Sequence, residues 1–168
     1  GRRVAELLAP MGFNLIAHDS EADVGAAGFE CVREASWDDL LVSSDVITLH
    51  APAAPDGTPM LGAAELARLK PGAVIVNAAR GSLVDEAALI EGLRRGTPAM
   101  AALDVFAAEP PDAAAFAEVS ERVILTPHMA WYTEESELDL RTKAAHEALR
   151  ILQGSPPLHT AAGPGGAR

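Results

Sequence analysis

Six polar side chains stand at or just past the ends of apolar runs. Asp19, His50, Arg80, Asp104 and His128 each follow a separate run, and Glu109 lies in the loop after Asp104. Arg80 is the most informative of them. It closes the stretch Ala73-Val74-Ile75-Val76-Asn77-Ala78-Ala79-Arg80-Gly81, an apolar segment preceded by Pro71-Gly72 that ends abruptly in a guanidinium. Such a segment reads as a strand buried on both faces, of the parallel-sheet kind. In open α/β sheets ligands bind outside the carboxyl ends of the strands, so an Arg there is placed to meet an anion. The plain alternative for any one such residue is a surface side chain in a turn. Parallel strands put their carboxyl ends on one edge, however, and several polar residues in register favour convergence on a site.

The elements that would hold these residues alternate between the two periods. Val4, Leu7, Leu8 and Met11 recur at helical spacing before Gly12, which predicts a short amphipathic helix over 2–11. Phe13–Ala17 reads as a strand ending in His18-Asp19, and Phe29–Val32 as a short edge strand. Trp37–Leu41 reads as a helix with Ser36 as N-cap and Asp38 and Asp39 in its first turn. Val46–Leu49 is a second buried strand, running into His50-Ala51-Pro52 and a loop rich in Pro and Gly. The pattern then predicts a helix over 63–69, the strand before Arg80, and a helix over 83–95 stopped by Gly96. A strand over 99–103, a loop holding Glu109-Pro110-Pro111, a strand over 123–125 and a long helix over 134–153 follow. This order specifies an α/β fold with a doubly wound parallel sheet over residues 1–153, and a flexible Gly- and Pro-rich tail over 154–168.

Bulk properties narrow the function classes. With 168 residues, 49% hydrophobic and 22% charged, the chain can bury one real core. A formal net charge of -11 with 13 Lys and Arg argues against a nucleic-acid surface, which needs clustered cations. No apolar run approaches the roughly 18 residues of a membrane span, and there is no signal-peptide pattern, so the expectation is a cytoplasmic protein without a membrane partner. The single Cys31 cannot form an internal disulfide.

Ser44–His50, Lys70–Gly81, Ala102–Phe106 with Glu109-Pro110, and Leu125–His128 resemble, in this order and spacing, the Rossmann-like NAD-binding domain of the D-isomer-specific 2-hydroxyacid dehydrogenases. The resemblance implies an oxidoreductase moving a hydride between NAD(H) and a small 2-oxo or 2-hydroxy acid, with no metal. It implies that Arg80 pairs with the substrate carboxylate and polarises the carbonyl, that His128 gives or takes the hydroxyl proton, and that Glu109 bonds the other ring nitrogen and favours the protonated imidazole. Asp19 would accept from the adenosine ribose hydroxyls and disfavour a 2′-phosphate, giving NAD over NADP. Gly1, His50, Pro52, Ala78, Ala79, Arg80, Asp104 and His128 fall at the remaining cofactor-binding positions. For Asp104 a strand-end cap is the alternative, and for His128 an ordinary core or surface histidine.

The chain departs from the family pattern in two places. Of the Gly-x-Gly-x-x-Gly fingerprint only the last glycine, Gly1, has a counterpart. The expectation is therefore a fragment lacking the first strand and the separate substrate domain, inactive and aggregation-prone alone, from a parent that dimerises. The second departure is Trp131-Tyr132 after His128-Met129-Ala130, which resembles the subgroup holding the C-terminal-binding-protein corepressors and phosphoglycerate-dehydrogenase-like proteins. Trp131 would then wall the substrate pocket, or simply pack the start of the last helix. An NAD-sensing, corepressor-like scaffold is the alternative to an enzyme. Formate dehydrogenases rank low, because that group carries Gln where Glu109 stands.

Overall fold

A computed structural model of the chain describes residues 1–22, 24 and 30–158. Phe29, the start of the expected edge strand, and residues 159–168 of the expected tail lie outside the described residues. The chain divides into two units, with the boundary between His128 and Met129.

The first unit contains two all-parallel sheets. β1 (Leu15–Ala17) pairs with β2 (Val32–Glu34), and β3 (Val46–Leu49), β4 (Val74–Asn77), β5 (Met100–Leu103) and β6 (Val123–Leu125) form a second sheet in that order. Among the described residues no ladder joins β1 to β3. Val46, Val74 and Met100 align across the second sheet, as do Leu49, Asn77 and Leu103. The connections carry helices: α1 (Arg2–Leu8) precedes β1, α2 (Trp37–Ser43) precedes β3, α3 (Ala63–Leu66) leads to β4 and α4 (Glu86–Arg95) leads to β5. This is a Rossmann-like arrangement of parallel strands with flanking helices.

Alternation along the strands decides what the second sheet buries. Ile47, Leu49, Ile75, Asn77, Ala101 and Leu103 all lie on the buried face. Leu66, Leu83, Leu89, Leu93, Phe116 and Val119 from the connections complete that core. Ile75 has no exposed surface, and a side chain so placed contributes about 1.5–3 kcal/mol. On the other face Val74 and Val76 of β4 are half-buried while Val46, Met100 and Ile124 of the other strands are 57%, 42% and 58% exposed, so burial on both faces is only partial. The physical reason is that the connecting helices supply their apolar residues to one face only, and α1 has no buried residue.

Several element ends differ from the sequence expectation for local reasons. The first helix stops at Leu8, and Ala9–Met11 form a separate 3₁₀ turn with Pro10, which has no N–H to continue the helix, near its start. Gly81–Leu83 is likewise a 3₁₀ turn, and α4 begins only after Asp85, whose Oδ1 accepts from Ala88 N at 3.0 Å as an N-cap. The predicted 63–69 helix is one short turn, Ala63–Leu66. A 3₁₀ run over Ala113–Arg122, which the pattern does not predict, buries Phe116 and Val119 between β5 and β6.

One close approach ties two of these connections together. Gly81 is buried, and a Cβ placed on it would lie 1.9 Å from Phe106 C and 2.0 Å from Phe106 O. The turn after β4 therefore rests flat on the peptide after β5. Gly81→Ala is expected to cost about 3 kcal/mol or more by overpacking against backbone that cannot yield, read as a lowered urea midpoint of the whole protein. A midpoint equal to wild type rules out this contact.

The second unit holds α5 (Glu134–Leu152). Thr133 Oγ1 accepts from Ser136 N at 3.0 Å while Ser136 Oγ accepts from Thr133 N at 2.9 Å, a reciprocal cap. Glu134, Glu135 and Glu137 sit in the first turn, where the helix dipole favours them. No residue of α5 is buried, and Leu138, Leu140, Leu149, Ile151 and Leu152 are exposed.

Candidate active site

The parallel ladders of the second sheet set four of the six polar residues on one edge. His50 follows β3, Arg80 lies just past β4, Asp104 follows β5 and His128 lies just past β6. Asp19 stands past β1, in the two-stranded sheet.

Glu109 and His128 are brought together. Glu109 Oε2 lies 2.8 Å from His128 Nδ1, and Glu109 Oε1 accepts from Phe106 N at 3.1 Å, so both carboxylate oxygens are used. The hydrogen bond from His128, then that from Phe106 N–H, hold the Glu109 carboxyl below the usual Glu range, against smaller opposing effects of burial and the Asp104 charge. Glu109 therefore stays an anion throughout the neutral range. Both side chains keep contact with water, at 47% exposure for His128 and 39% for Glu109.

His128 has φ of 50°, a backbone region that non-glycine residues rarely occupy. Asp104 supports that conformation from beneath. Its carbonyl accepts from His128 N at 2.8 Å and its Oδ1 accepts from Thr126 Oγ1 at 2.6 Å, with the residue only 6% exposed. Asp104 thus braces both ends of Thr126-Pro127-His128. Thr126 is a contributor the sequence reading passes over. Its Thr-Pro-His setting was visible, but the partner lies 22 positions earlier in the chain.

Asn77 is the other residue missed. It is 1% exposed at the end of β4, where it reads as the last position of a strand. Its Nδ2 donates to Arg80 O at 2.9 Å and its Oδ1 accepts from Ala79 N at 3.1 Å, so the turn carrying Arg80 is wound around the Asn77 amide. A buried amide aligned with Leu49 and Leu103 needs such partners, and an Asn ending an apolar strand was the signal available. The Arg80 guanidinium is exposed and donates from Nη1 to Ala79 O at 2.6 Å.

The remaining cofactor positions are placed as follows. Asp19 is exposed, and its Oδ1 accepts from Glu21 N at 2.9 Å and Ala22 N at 3.0 Å. Those two bonds, the one from Ala22 first, lower its pKa and keep it anionic. His50 Nε2 lies 3.1 Å from Thr48 Oγ1, and burial lowers its pKa, favouring a neutral ring. Gly1 packs at His50, where an added Cβ would meet the His50 Cβ at 3.5 Å. Pro52 and Ala78 are exposed and Ala79 is half-buried. Trp131 belongs to the second unit, where it stands edge-on to Tyr132 at 5.3 Å and its carbonyl accepts from Ser136 Oγ. Among the described residues no cluster of three or more His, Cys, Asp or Glu could hold a metal, and no helix is long and apolar enough to cross a membrane. A cavity of about 240 Å³ opens beside the Glu109–His128 pair, walled by Phe106, Pro110, Pro111 and Pro127.

Parallel strands with flanking helices, and polar residues gathered at the carboxyl edge, define a dinucleotide-binding domain of the Rossmann class. The chain belongs to the family of D-isomer-specific 2-hydroxyacid dehydrogenases, through their NAD-binding domain, whose family model matches residues 1–130. D-3-phosphoglycerate dehydrogenase of Archaeoglobus fulgidus is 36% identical over 156 residues, covering 93% of this chain and 30% of that protein. The glyoxylate reductase structure from Paecilomyes thermophila superposes with a TM-score of 0.85 at 31% identity, covering 94% of this chain and 48% of that one. The NAD-complexed D-isomer-specific 2-hydroxyacid dehydrogenase of Lactobacillus delbrueckii ssp. bulgaricus gives 0.79 at 31% identity, covering 94% and 52%. The chain thus spans about half the length of these two structures and less than a third of the archaeal relative. All three relatives are dehydrogenases or reductases, and none of these likenesses favours the corepressor-like reading.

Proposed function

We propose that the whole protein is an NAD-dependent oxidoreductase interconverting a 2-oxo acid and a D-2-hydroxy acid, with residues 1–153 forming its dinucleotide-binding domain. One observation carries this reading: a Glu109–His128 pair at 2.8 Å on the sheet edge that also holds Arg80. A homodimer belongs to the same reading and rests on the family resemblance, and a cytoplasmic location stays the expectation of the sequence pattern.

The donor set fits a dinucleotide. Asp19 is an exposed anion at the end of the first parallel strand, a position suited to accept from the ribose hydroxyls. NAD, when bound, supplies or accepts the hydride. Arg80 holds the substrate carboxylate through its planar fork and sets the neighbouring carbonyl oxygen against His128. Because Nδ1 faces Glu109, Nε2 is the ring atom that gives its proton to the oxygen as negative charge develops there, and takes it back in the oxidation direction. The Glu109 anion stabilises the imidazolium that this requires and fixes the ring plane. Both groups are half in water here, so full effect requires the bound substrate to displace that water.

The test is NADH oxidation by the whole protein against a panel of 2-oxo acids. Turnover of at least one, with the D-hydroxy acid as product, is expected. Tight NADH binding with no turnover on any would instead favour a sensor. The cofactor assignment has its own check: Asp19→Ala should narrow the preference for NAD over NADP in kcat/KM, and an unchanged ratio refutes the role of Asp19.

A further inference from the structure

Glu86, the first residue of α4, is not one of the strand-end residues, yet its carboxylate reaches into the loop that carries Glu109. Glu86 Oε1 accepts from Ala107 N at 2.5 Å, across 21 positions of sequence. The preceding amide, Phe106 N, donates to Glu109 Oε1 at 3.1 Å, and Glu109 Oε2 reaches His128 Nδ1. Two consecutive backbone N–H groups of one turn are therefore each held by a carboxylate, one belonging to Glu109 itself and the other to Glu86. The same Phe106–Ala107 peptide has Gly81 lying flat against it, with no room for a Cβ between them. Arg80 directly precedes Gly81, and Glu86 opens the helix that follows. The segment carrying the cation is thus fastened twice to the segment carrying the histidine's partner, once by close packing and once by a charge-assisted hydrogen bond.

An acidic residue in a first helical turn ordinarily serves the helix, through its dipole and its orphan N–H groups. Here Asp85 already supplies the N-cap of α4, and Glu86 spends an oxygen on a backbone amide of another loop. Loss of that bond would leave the Ala107 amide without its carboxylate and remove one of the two fastenings, so that the peptide can rotate slightly about its remaining contact with Gly81. Such a rotation changes where Phe106 N points, and so where Glu109 can reach.

We propose that Glu86 is a positioning residue that sets the reach of Glu109 toward His128. The proposal rests on the assignment of proton transfer to that pair. It predicts a rate effect out of proportion to any loss of stability, because a catalytic group misplaced by about 1 Å can cost on the order of 100-fold.

The experiment compares Glu86→Asp, which keeps the charge at the helix start but withdraws the oxygen by one methylene, with Glu86→Gln, which keeps an acceptor at the same reach. In the whole protein, E86D should lower kcat by about 10- to 100-fold with KM for the 2-oxo acid changed by less than about threefold, and should displace a limb of the kcat–pH profile. E86Q should retain most of the rate and the wild-type profile. A wild-type kcat and unmoved profile in E86D, or E86Q no better than E86D, would overturn the assignment. A second readout is independent of turnover: the ¹⁵N NMR signal of the His128 Nδ1–H, which should shift or broaden in E86D and recover in E86Q. If no 2-oxo acid is reduced, the functional reading fails while this signal still tests Glu86. An Nδ1–H signal identical in E86D and wild type overturns the positioning role.

Discussion

His128→Asn in the whole protein is expected to lower kcat for 2-oxo acid reduction by about 10³-fold, within the usual range for loss of a general acid. An Asn amide can still donate to Glu109, so the substitution preserves much of the polar contact while removing the imidazole that the proposed mechanism uses to exchange a proton. The loss should fall on kcat more than on KM for the 2-oxo acid, because in the proposed mechanism the lost interaction is one made with the reacting oxygen in the transition state. Glu109 adds nothing to the pH dependence near neutrality. Its carboxyl is held below the ordinary range chiefly by the bond from His128, so in wild type it is already ionised at neutral pH and contributes no change of charge there. In the Asn variant residue 128 can no longer give or take a proton, so whatever pH dependence that transfer lends the rate should be lost. A loss of less than about fivefold, or an unchanged pH profile, would remove His128 from the chemistry.

The pair behind that prediction was legible through the family resemblance, carried by Ala102–Phe106 with Glu109-Pro110 and by Leu125–His128, while the strand that delivers His128 was legible as a short apolar run. β3 and β4 coincide with the expected Val46–Leu49 and with the apolar segment ahead of Arg80, since β-branched residues between polar boundaries leave little freedom of register. What the pattern could not supply depends on residues distant in sequence. Val46 reads the same whether or not a layer covers its face, and its 57% exposure follows from where the connecting helices pack. Ala113–Arg122 is too short in each turn to show a helical period, and its burial of Phe116 and Val119 appears only once β5 and β6 are adjacent. Asn77, Thr126 and Glu86 are polar residues in positions where a cap or strand end suffices as an explanation. Of their contacts, those of Thr126 and Glu86 lie across 22 and 21 positions, which periodicity does not encode.

Arg80 carries the second large expectation. Arg80→Gln should reduce kcat/KM by about 10³-fold, because two hydrogen bonds between charged partners at roughly 1.5–3 kcal/mol each are lost together. The loss should be shared between KM and kcat, since in the proposed mechanism the guanidinium both holds the carboxylate and lies beside the carbonyl that becomes negative. Arg80→Lys separates charge from shape. An ammonium restores the attraction but not the planar fork, so an intermediate loss of about 10²-fold is expected, with KM recovering more than kcat. The structure also says why the position is exacting. Arg80 is exposed, donates to the carbonyl just before it, and leaves a turn whose course is fixed by the Asn77 amide and by Gly81 against the Phe106–Ala107 peptide. A side chain at residue 80 can be exchanged without disturbing that turn, so Arg80→Gln should unfold at the same urea concentration as wild type. Equal kcat/KM in the Gln and Lys variants, both near wild type, would place the carboxylate elsewhere. A Gln variant whose activity falls only as far as its stability falls would make Arg80 a structural residue of the turn.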